Sequence, residues 1–219
     1  MRNDTSSLNH SHQRGLFDPR YARPVNIIGV GSQGSASALA IAKMGVRDIT
    51  VWDSDGVESE NIPYSLYRPQ DVGHYKVDVL QKIVEEQTGV IIKTMRKDYQ
   101  GEPLRNTSVI CSPDNMATRR LVWDEIKNSP TVDLLIDTRT NAWYLEVYPI
   151  DPRKAADRKY YEESFFDDSE SSRQSCGHHG HIAVAFAGAA IVTASLSTFW
   201  TNGTKKLPVR LRCDMLEAV

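Results

Sequence analysis

Short apolar runs alternate along this chain with longer amphipathic stretches, and that alternation sets the expected architecture. Val25, Ile27, Ile28 and Val30 form the first run, which leads straight into Gly29-x-Gly31-x-x-Gly34. A helix-like segment carrying Ala36, Leu39, Ala40, Lys43 and Met44 follows, and then Ile49-Thr50-Val51-Trp52, a second strand ending at Asp53. Beyond a polar loop at 54–65 with Gly56, Asn61 and Pro63, the residues Val72, Val79, Leu80, Ile83 and Val84 predict one face of a helix from about Asp71 to Glu86. Val90-Ile91-Ile92 reads as a third strand and Val109-Ile110-Cys111 as a fourth. Met116 to Lys127 reads as a helix with Leu121, Val122 and Ile126 inward, and Asp133-Leu134-Leu135-Ile136-Asp137 as a fifth strand. Tyr144 to Ile150, closed by Pro149 and Pro152, and Leu207 to Leu211 are two more. Such alternation predicts an α/β fold: a Rossmann-like, doubly wound, mostly parallel sheet with helices on both faces and right-handed crossovers.

Three stretches fall outside this rhythm. Met1 to about Arg20 is polar, without the apolar core of a signal peptide or anchor, and is expected to be a flexible arm before a domain spanning 21–219. The region from Asp151 to Arg173 is heavily charged and contains Asp167-Asp168-Ser169-Glu170-Ser171-Ser172. It predicts a solvated, mobile crossover loop over about 151–181. Ile182 to Gly203 carries no charged residue, yet it is built largely from Ala, Gly, Ser and Thr and its strongest apolar run stops near Thr193. A buried helix fits that better than a membrane span.

A chain of 219 residues suits one domain with a well-buried core. With 26 Lys and Arg against 28 Asp and Glu there is no basic excess to attract a polyanion, which disfavours nucleic acid as a partner. The three cysteines, Cys111, Cys176 and Cys213, contain no Cys-x-x-Cys pair. That excludes the common structural zinc pattern and offers no disulfide framework, so a reducing, cytoplasmic setting is expected.

The strand, glycine turn, helix, strand and terminal acid over 25–53 predict nucleotide binding. Glycines let the backbone approach phosphate oxygens, the following helix offers its unpaired N–H groups, and Asp53 lies where a carboxylate accepts from ribose hydroxyls. A dinucleotide and ATP both fit so far.

Further motifs narrow this. Gly29-Val-Gly31-Ser-Gln-Gly34, Trp52-Asp53-Ser-Asp55, Val57-Glu-Ser-Glu-Asn61, Asp71-Val-Gly73-His-Tyr-Lys76 and Cys111-Ser-Pro-Asp114-Asn115 fall in one order. In that order the chain resembles the adenylation domain of the ThiF/MoeB/HesA group, bacterial relatives of the ubiquitin-activating enzymes, over roughly Pro24 to Asp137. The resemblance implies an ATP-dependent adenylyltransferase that converts the C-terminal carboxylate of a small ubiquitin-like or sulfur-carrier protein to an acyl-adenylate, working as a homodimer or heterodimer. It assigns Gly29, Gly31 and Gly34 to the nucleotide phosphates, Asp53 to the ribose, Asn61 and Lys76 to the phosphates and Asp114 to Mg2+. One carboxylate with phosphate oxygens and water suffices for that hard cation.

The chain departs from the family pattern in places. Ser32 and Gln33 replace a double glycine. Tyr64 stands where the family places an arginine, with Arg68 as the nearest substitute, and Arg14, Arg20 and Arg23 are candidates for an arginine given across a dimer. Asp55 and Glu58 read as solvated loop acids, Asp55 with a supporting role.

Relatives often pass the acyl group to a cysteine as a thioester. Cys176 follows the crossover, precedes a helix, and has His178, His179 and His181 beside it as bases; a metal site or no chemistry at all are the alternatives there. Cys111, at the end of an apolar strand, and Cys213, in no recognisable context, are weaker candidates. Two other functions compete: an NAD-dependent oxidoreductase using the same turn with the histidine cluster as acid or base, and a catalytically inactive scaffold subunit of a heterodimeric activating enzyme.

Overall fold

The structure is a computed structural model and describes residues 8–13, 15–167, 180–214 and 217–218. Its centre is an eight-stranded sheet in the order β3-β2-β1-β4-β5-β6-β7-β8. The strands are β1 (Val25–Ile28), β2 (Ile49–Trp52), β3 (Lys93–Met95), β4 (Thr107–Cys111), β5 (Val132–Asn141), β6 (Tyr144–Ile150), β7 (Val209–Arg212) and β8 (Glu217–Ala218). Strands β1 to β5 pair in parallel, whereas β6, β7 and β8 continue the sheet antiparallel. The helices are α1 (Ser32–Met44), α2 (Lys76–Thr88), α3 (Met116–Ile126), α4 (Ala155–Glu162) and α5 (Ile182–Asn202).

Alternation along the strands divides the core in two. Val25 and Ile27 of β1, Ile110 of β4, and Leu134 and Ile136 of β5 pack with α1, α2 and α5. Ile28, Val109, Cys111, Val132 and Leu135 point the other way, onto Val122, Trp123 and Ile126 of α3 and Tyr161 of α4. The chain leaves β1 toward β2 and β3 and then crosses back to β4. This makes the C-terminal ends of β1 and β4 the switch point, where open α/β sheets form a crevice.

Several elements differ from the sequence expectation. The third strand is Lys93–Met95 rather than 90–92. Gly89 ends α2 in the left-handed conformation, Ile91 is exposed, and Ile92 spends its carbonyl on the Gln81 side chain at 2.6 Å. Helix α2 begins at Lys76 and not near Asp71, because Gly73 sits at φ 86° and breaks any helix through it. Leu121 turns outward and Trp123 takes its place in the core. The crossover contains α4, anchored by the fully buried Tyr161. The N-terminal arm is already docked at Gln13, whose amide donates to the Met44 carbonyl at 2.7 Å, and Phe17 is buried.

Helix α5 is long and apolar enough to cross a membrane by length and composition. Here Val184, Ala185, Gly188, Ala189 and Val192 are buried, and Ala185 and Ala189 meet Ala36 of α1.

Candidate functional site

Above the switch point lies a cleft of about 1790 Å3, lined on one side by Gly29, Gly31, Asp53, Asn61, Lys76 and Asp114. Residues spread over almost ninety positions of sequence thus converge because β1, β2 and β4 end at one level: Ile28 is in register with both Trp52 and Cys111.

The three glycines have three different reasons to be glycine. Gly29 has φ 81°, and a Cβ there would lie 2.7 Å from the Ser112 carbonyl oxygen. A Cβ on Gly34 would lie 1.9 Å from the Gly29 carbonyl oxygen, so Gly34 closes the helix onto the turn and does not line the cleft. A Cβ on Gly31 would meet nothing within 4 Å; this position borders open cleft at the N-terminus of α1, where helix N–H groups await an acceptor. The residues between them are also engaged. Ser32 donates to the Tyr64 carbonyl at 2.8 Å, and the buried Gln33 donates to Val184 of α5 at 2.8 Å, filling the space left by Gly188. The absent double glycine is thereby replaced by ties to the neighbouring turn and helix.

Asp53 builds the turn as well as facing the cleft. Its carboxylate accepts from the Val30 N–H at 2.8 Å and the Asp55 N–H at 2.9 Å, leaving acceptor capacity on both oxygens. Burial pushes its pKa up against the lowering influence of Lys76 and these two N–H groups. Tyr67 braces the turn from below through a 2.5 Å hydrogen bond to the Val30 carbonyl.

Lys76, the first residue of α2, is buried and donates to Asp55 at 2.7 Å. Burial alone would lower its pKa, but the Asp55 hydrogen bond and the charges of Asp53, Asp55 and Asp114 outweigh it and raise the value. The ammonium therefore stays charged. Asn61 accepts from the Glu58 N–H at 2.9 Å and donates to the Tyr64 hydroxyl at 3.1 Å. Asp114 is exposed on the cleft rim. The residue capping α3 is Asn115, which accepts from the Thr118 N–H at 2.8 Å, so Asp114 is not needed as a cap.

Among the described residues, two expected site residues, Gly34 and Arg68, do not line this cleft. Arg68 ion-pairs with Asp71 at 3.1 Å and Glu86 at 3.5 Å and is not among the lining residues, so it does not take over the place left by Tyr64. Cys176, with His178 and His179, lies outside the described residues. His181 caps α5 and packs against Trp143, their ring centroids 4.2 Å apart. Of the other thiols, Cys111 has its pKa pushed up by full burial and then by the neighbouring Asp137, and burial also raises that of Cys213. Neither has the exposed, acidified thiol that nucleophilic transfer needs.

The opposite wall was not anticipated. Asp137, fully buried, accepts from Arg119 at 2.9 Å, Arg139 at 2.7 Å and the Tyr161 hydroxyl at 3.0 Å. Arg119 also donates to the carbonyls of Asn115 and Thr138, tying the loop after β4 to β5. A signal for this existed: Arg119 shares a helical stripe with Met116, Trp123 and Ile126, where an apolar residue would ordinarily stand.

A family model described as the ThiF family matches residues 18–214. The chain belongs to the ThiF family. Over 114 residues, 51% of the chain, it is 33% identical to the adenylyltransferase and sulfurtransferase uba4 of Neosartorya fischeri, of which it spans 22%. The fold is similar to that of PaaA, with a TM-score of 0.70 at 18% identity over 92% of this chain and 64% of that one. It is also similar to Escherichia coli MccB crystallised with AMPCPP and MccA, with a TM-score of 0.71 at 14% identity over 100% of this chain and 71% of that one. MccB with ATP gives a TM-score of 0.68 at 14% identity, covering 94% and 64%. These ThiF-family and structural matches agree with the doubly wound sheet described above.

Proposed function

We propose that this protein is an ATP-dependent adenylyltransferase acting on the C-terminal carboxylate of a small ubiquitin-like or sulfur-carrier protein. The observation that carries this reading is the convergence of Gly31, Asp53, Asn61, Lys76 and Asp114 on one cleft at the switch point. A dehydrogenase has no use for a buried lysine surrounded by three acids at that place. In the reaction a carboxylate oxygen of the acyl substrate attacks the α-phosphorus of ATP, the bond to the bridging oxygen breaks, and pyrophosphate leaves with that electron pair. Negative charge grows on the non-bridging oxygens. The helix N–H groups beyond Gly31 and the Lys76 ammonium are the donors placed to meet it. Asp53 holds the ribose while keeping the turn in shape through the Val30 N–H. Asp114, a carboxylate with no capping duty, has the hard oxygen chemistry for Mg2+, and that cation would supply charge neutralisation on the phosphates. Acyl transfer to the Cys176 thiolate, with AMP leaving, belongs to the same proposal, as does a cytoplasmic setting.

One observation favours a second reading. With Tyr64 in the place of an arginine and Arg68 committed to Asp71 and Glu86, no arginine among the described residues lines the cleft on that side, as in a non-catalytic scaffold subunit. Thermal melts with Mg-ATP, ATP plus chelator, and NAD decide among the readings. A ligand at 100 times its dissociation constant adds about 2.7 kcal/mol. Stabilisation by Mg-ATP, together with pyrophosphate exchange into ATP that depends on a small protein ending in Gly-Gly, is the expected result. Stabilisation by NAD alone overturns adenylation, and a flat response to every nucleotide leaves the scaffold.

A further inference from the structure

Among the described residues, the wall of the cleft formed by β5 and α3 holds two buried guanidinium groups that share one hydrogen-bonded carboxylate. Arg119 and Arg139 are each less than 10% exposed and both line the cleft. Guanidinium groups do not lose their protons in proteins. Among the described residues, Asp137 is the carboxylate that hydrogen-bonds either of them, and it serves both. The cluster is thus two cations on one anion, a surplus of one charge in a setting where unpaired charge is costly.

The donors are not exhausted either. Arg119 gives three of its five N–H groups to Asp137, Asn115 and Thr138. Arg139 gives three to Asp137 and to the carbonyl and hydroxyl of Ser164. Two on each therefore remain. Tyr148 and Tyr161 lie against the Arg139 guanidinium, 4.6 and 5.6 Å from ring centroid to carbon, and hold its plane. Each guanidinium is fixed and planar and keeps one N–H on Nη1 and one on Nη2, charged donors of the kind a carboxylate accepts.

We propose that Arg119 and Arg139 form a carboxylate subsite that receives the free C-terminal carboxylate of the polypeptide substrate. Nucleotide phosphate is the weaker occupant on position. Asp137 is in register with Cys111, and Cys111 with Ile28. At about 4.8 Å per strand the pair is rooted about 10 Å across the sheet from the glycine turn. That leaves width for a nucleotide and a carboxylate side by side. On the far side of the pair the cleft runs on past Phe166 to Tyr144, Leu145 and Leu211, with Arg210 committed to Glu146 at 2.9 Å, a mixed surface long enough for a polypeptide. The identity of the substrate rests on the adenylation reading; the subsite itself does not.

The test uses the full-length protein without nucleotide and reads the arginine 15Nε–Hε resonances during titration with glycylglycine, glycylglycinamide or inorganic pyrophosphate at millimolar concentrations. Glycylglycine is expected to move the Arg119 and Arg139 signals, the amide is not, and Arg139→Met is expected to weaken glycylglycine binding roughly tenfold or more. Equal shifts with the amide, or none with glycylglycine, overturn the proposal. Saturation by pyrophosphate at lower concentration than by glycylglycine also overturns it and makes the pair a phosphate subsite. Should Arg139→Met fail to fold, the wild-type titrations still decide. A protein that binds glycylglycine here but is not stabilised by Mg-ATP keeps the subsite and loses the adenylation reading.

Discussion

Replacing Asp137 with asparagine is the sharpest test of the buried charge cluster. The amide preserves shape but removes the charge facing two guanidiniums, and one of its two positions becomes a donor pointed at donors. Asp137 is fully buried and accepts from Arg119, Arg139 and Tyr161 at 2.7 to 3.0 Å. Removing one member of a buried ion pair costs about 3–5 kcal/mol, because the remaining charge is left uncompensated. For a domain of this size each kcal/mol moves the melting temperature by about 2–4 °C, so a fall of about 6–20 °C is expected. Tyr161→Phe is the control: it deletes one neutral donor from the same carboxylate and should cost about 0.5–1.5 kcal/mol. Urea unfolding at neutral pH, with calorimetry as a second probe, measures both. If Asp137→Asn costs no more than Tyr161→Phe, the cluster is solvated through the cleft, and the argument from uncompensated buried charge is wrong.

Gly34→Ala sets a Cβ 1.9 Å from the Gly29 carbonyl oxygen and should cost about 1–3 kcal/mol or more in unfolding experiments, with loss of nucleotide stabilisation. Lys76→Met removes a charged donor from the cleft and should weaken Mg-ATP binding roughly 10- to 150-fold by calorimetric titration. Asp114→Asn, at an exposed position that does not cap α3, should leave unfolding within about 0.5 kcal/mol of wild type while abolishing the difference between Mg-ATP and chelated ATP. Burial raises the Asp71 pKa, but the side-chain and backbone hydrogen bonds from Arg68 and the charges of Arg68 and His74 outweigh it, for a net lowering. Its contribution is therefore present above the ordinary carboxylate range and lost as pH falls through the lower folded value. Asp71→Asn should be less stable than wild type at neutral pH, with the gap closing in acid; a gap that persists at low pH refutes this assignment.

What the sequence made legible followed local rules. The glycine turn, Asp53 and the parallel strands can be read because their spacing is fixed by the geometry of a single strand–turn–helix unit, and Asn61, Lys76 and Asp114 by motifs of a few residues. Three kinds of feature could not be read that way. Strand β3 lies past Val90-Ile91-Ile92 because Gly89 ends α2 in the left-handed conformation and the Ile92 carbonyl is taken by the Gln81 side chain, so pairing starts at Lys93. Arg68 looked like a substitute cation because sequence shows proximity along the chain but not direction; its side chain turns to Asp71 and Glu86. The Arg119–Asp137–Arg139 cluster joins a helix to a strand, and its only trace in sequence is a charged residue on an otherwise apolar stripe.

The two walls of the cleft differ in sign, and that difference has chemical content. On the β1–β2 side three carboxyl groups, Asp53, Asp55 and Asp114, surround the single ammonium of Lys76. On the β5 side two guanidiniums share one carboxylate. A bare polyphosphate approaching the glycine turn would meet more negative than positive charge, at a place where burial already disfavours an ionised Asp53. A divalent cation at Asp114 would reverse that balance, so under the proposed function the acids would serve a metal–nucleotide complex. The proposed carboxylate substrate would have the opposite problem: next to the phosphates it would be repelled, and it would need a positive surface of its own. Arg119 and Arg139 lie on the other wall of the same cleft, and Arg119 also grips the Asn115 carbonyl immediately after Asp114. The same guanidinium thus joins the buried Asp137 carboxylate to the loop that carries Asp114.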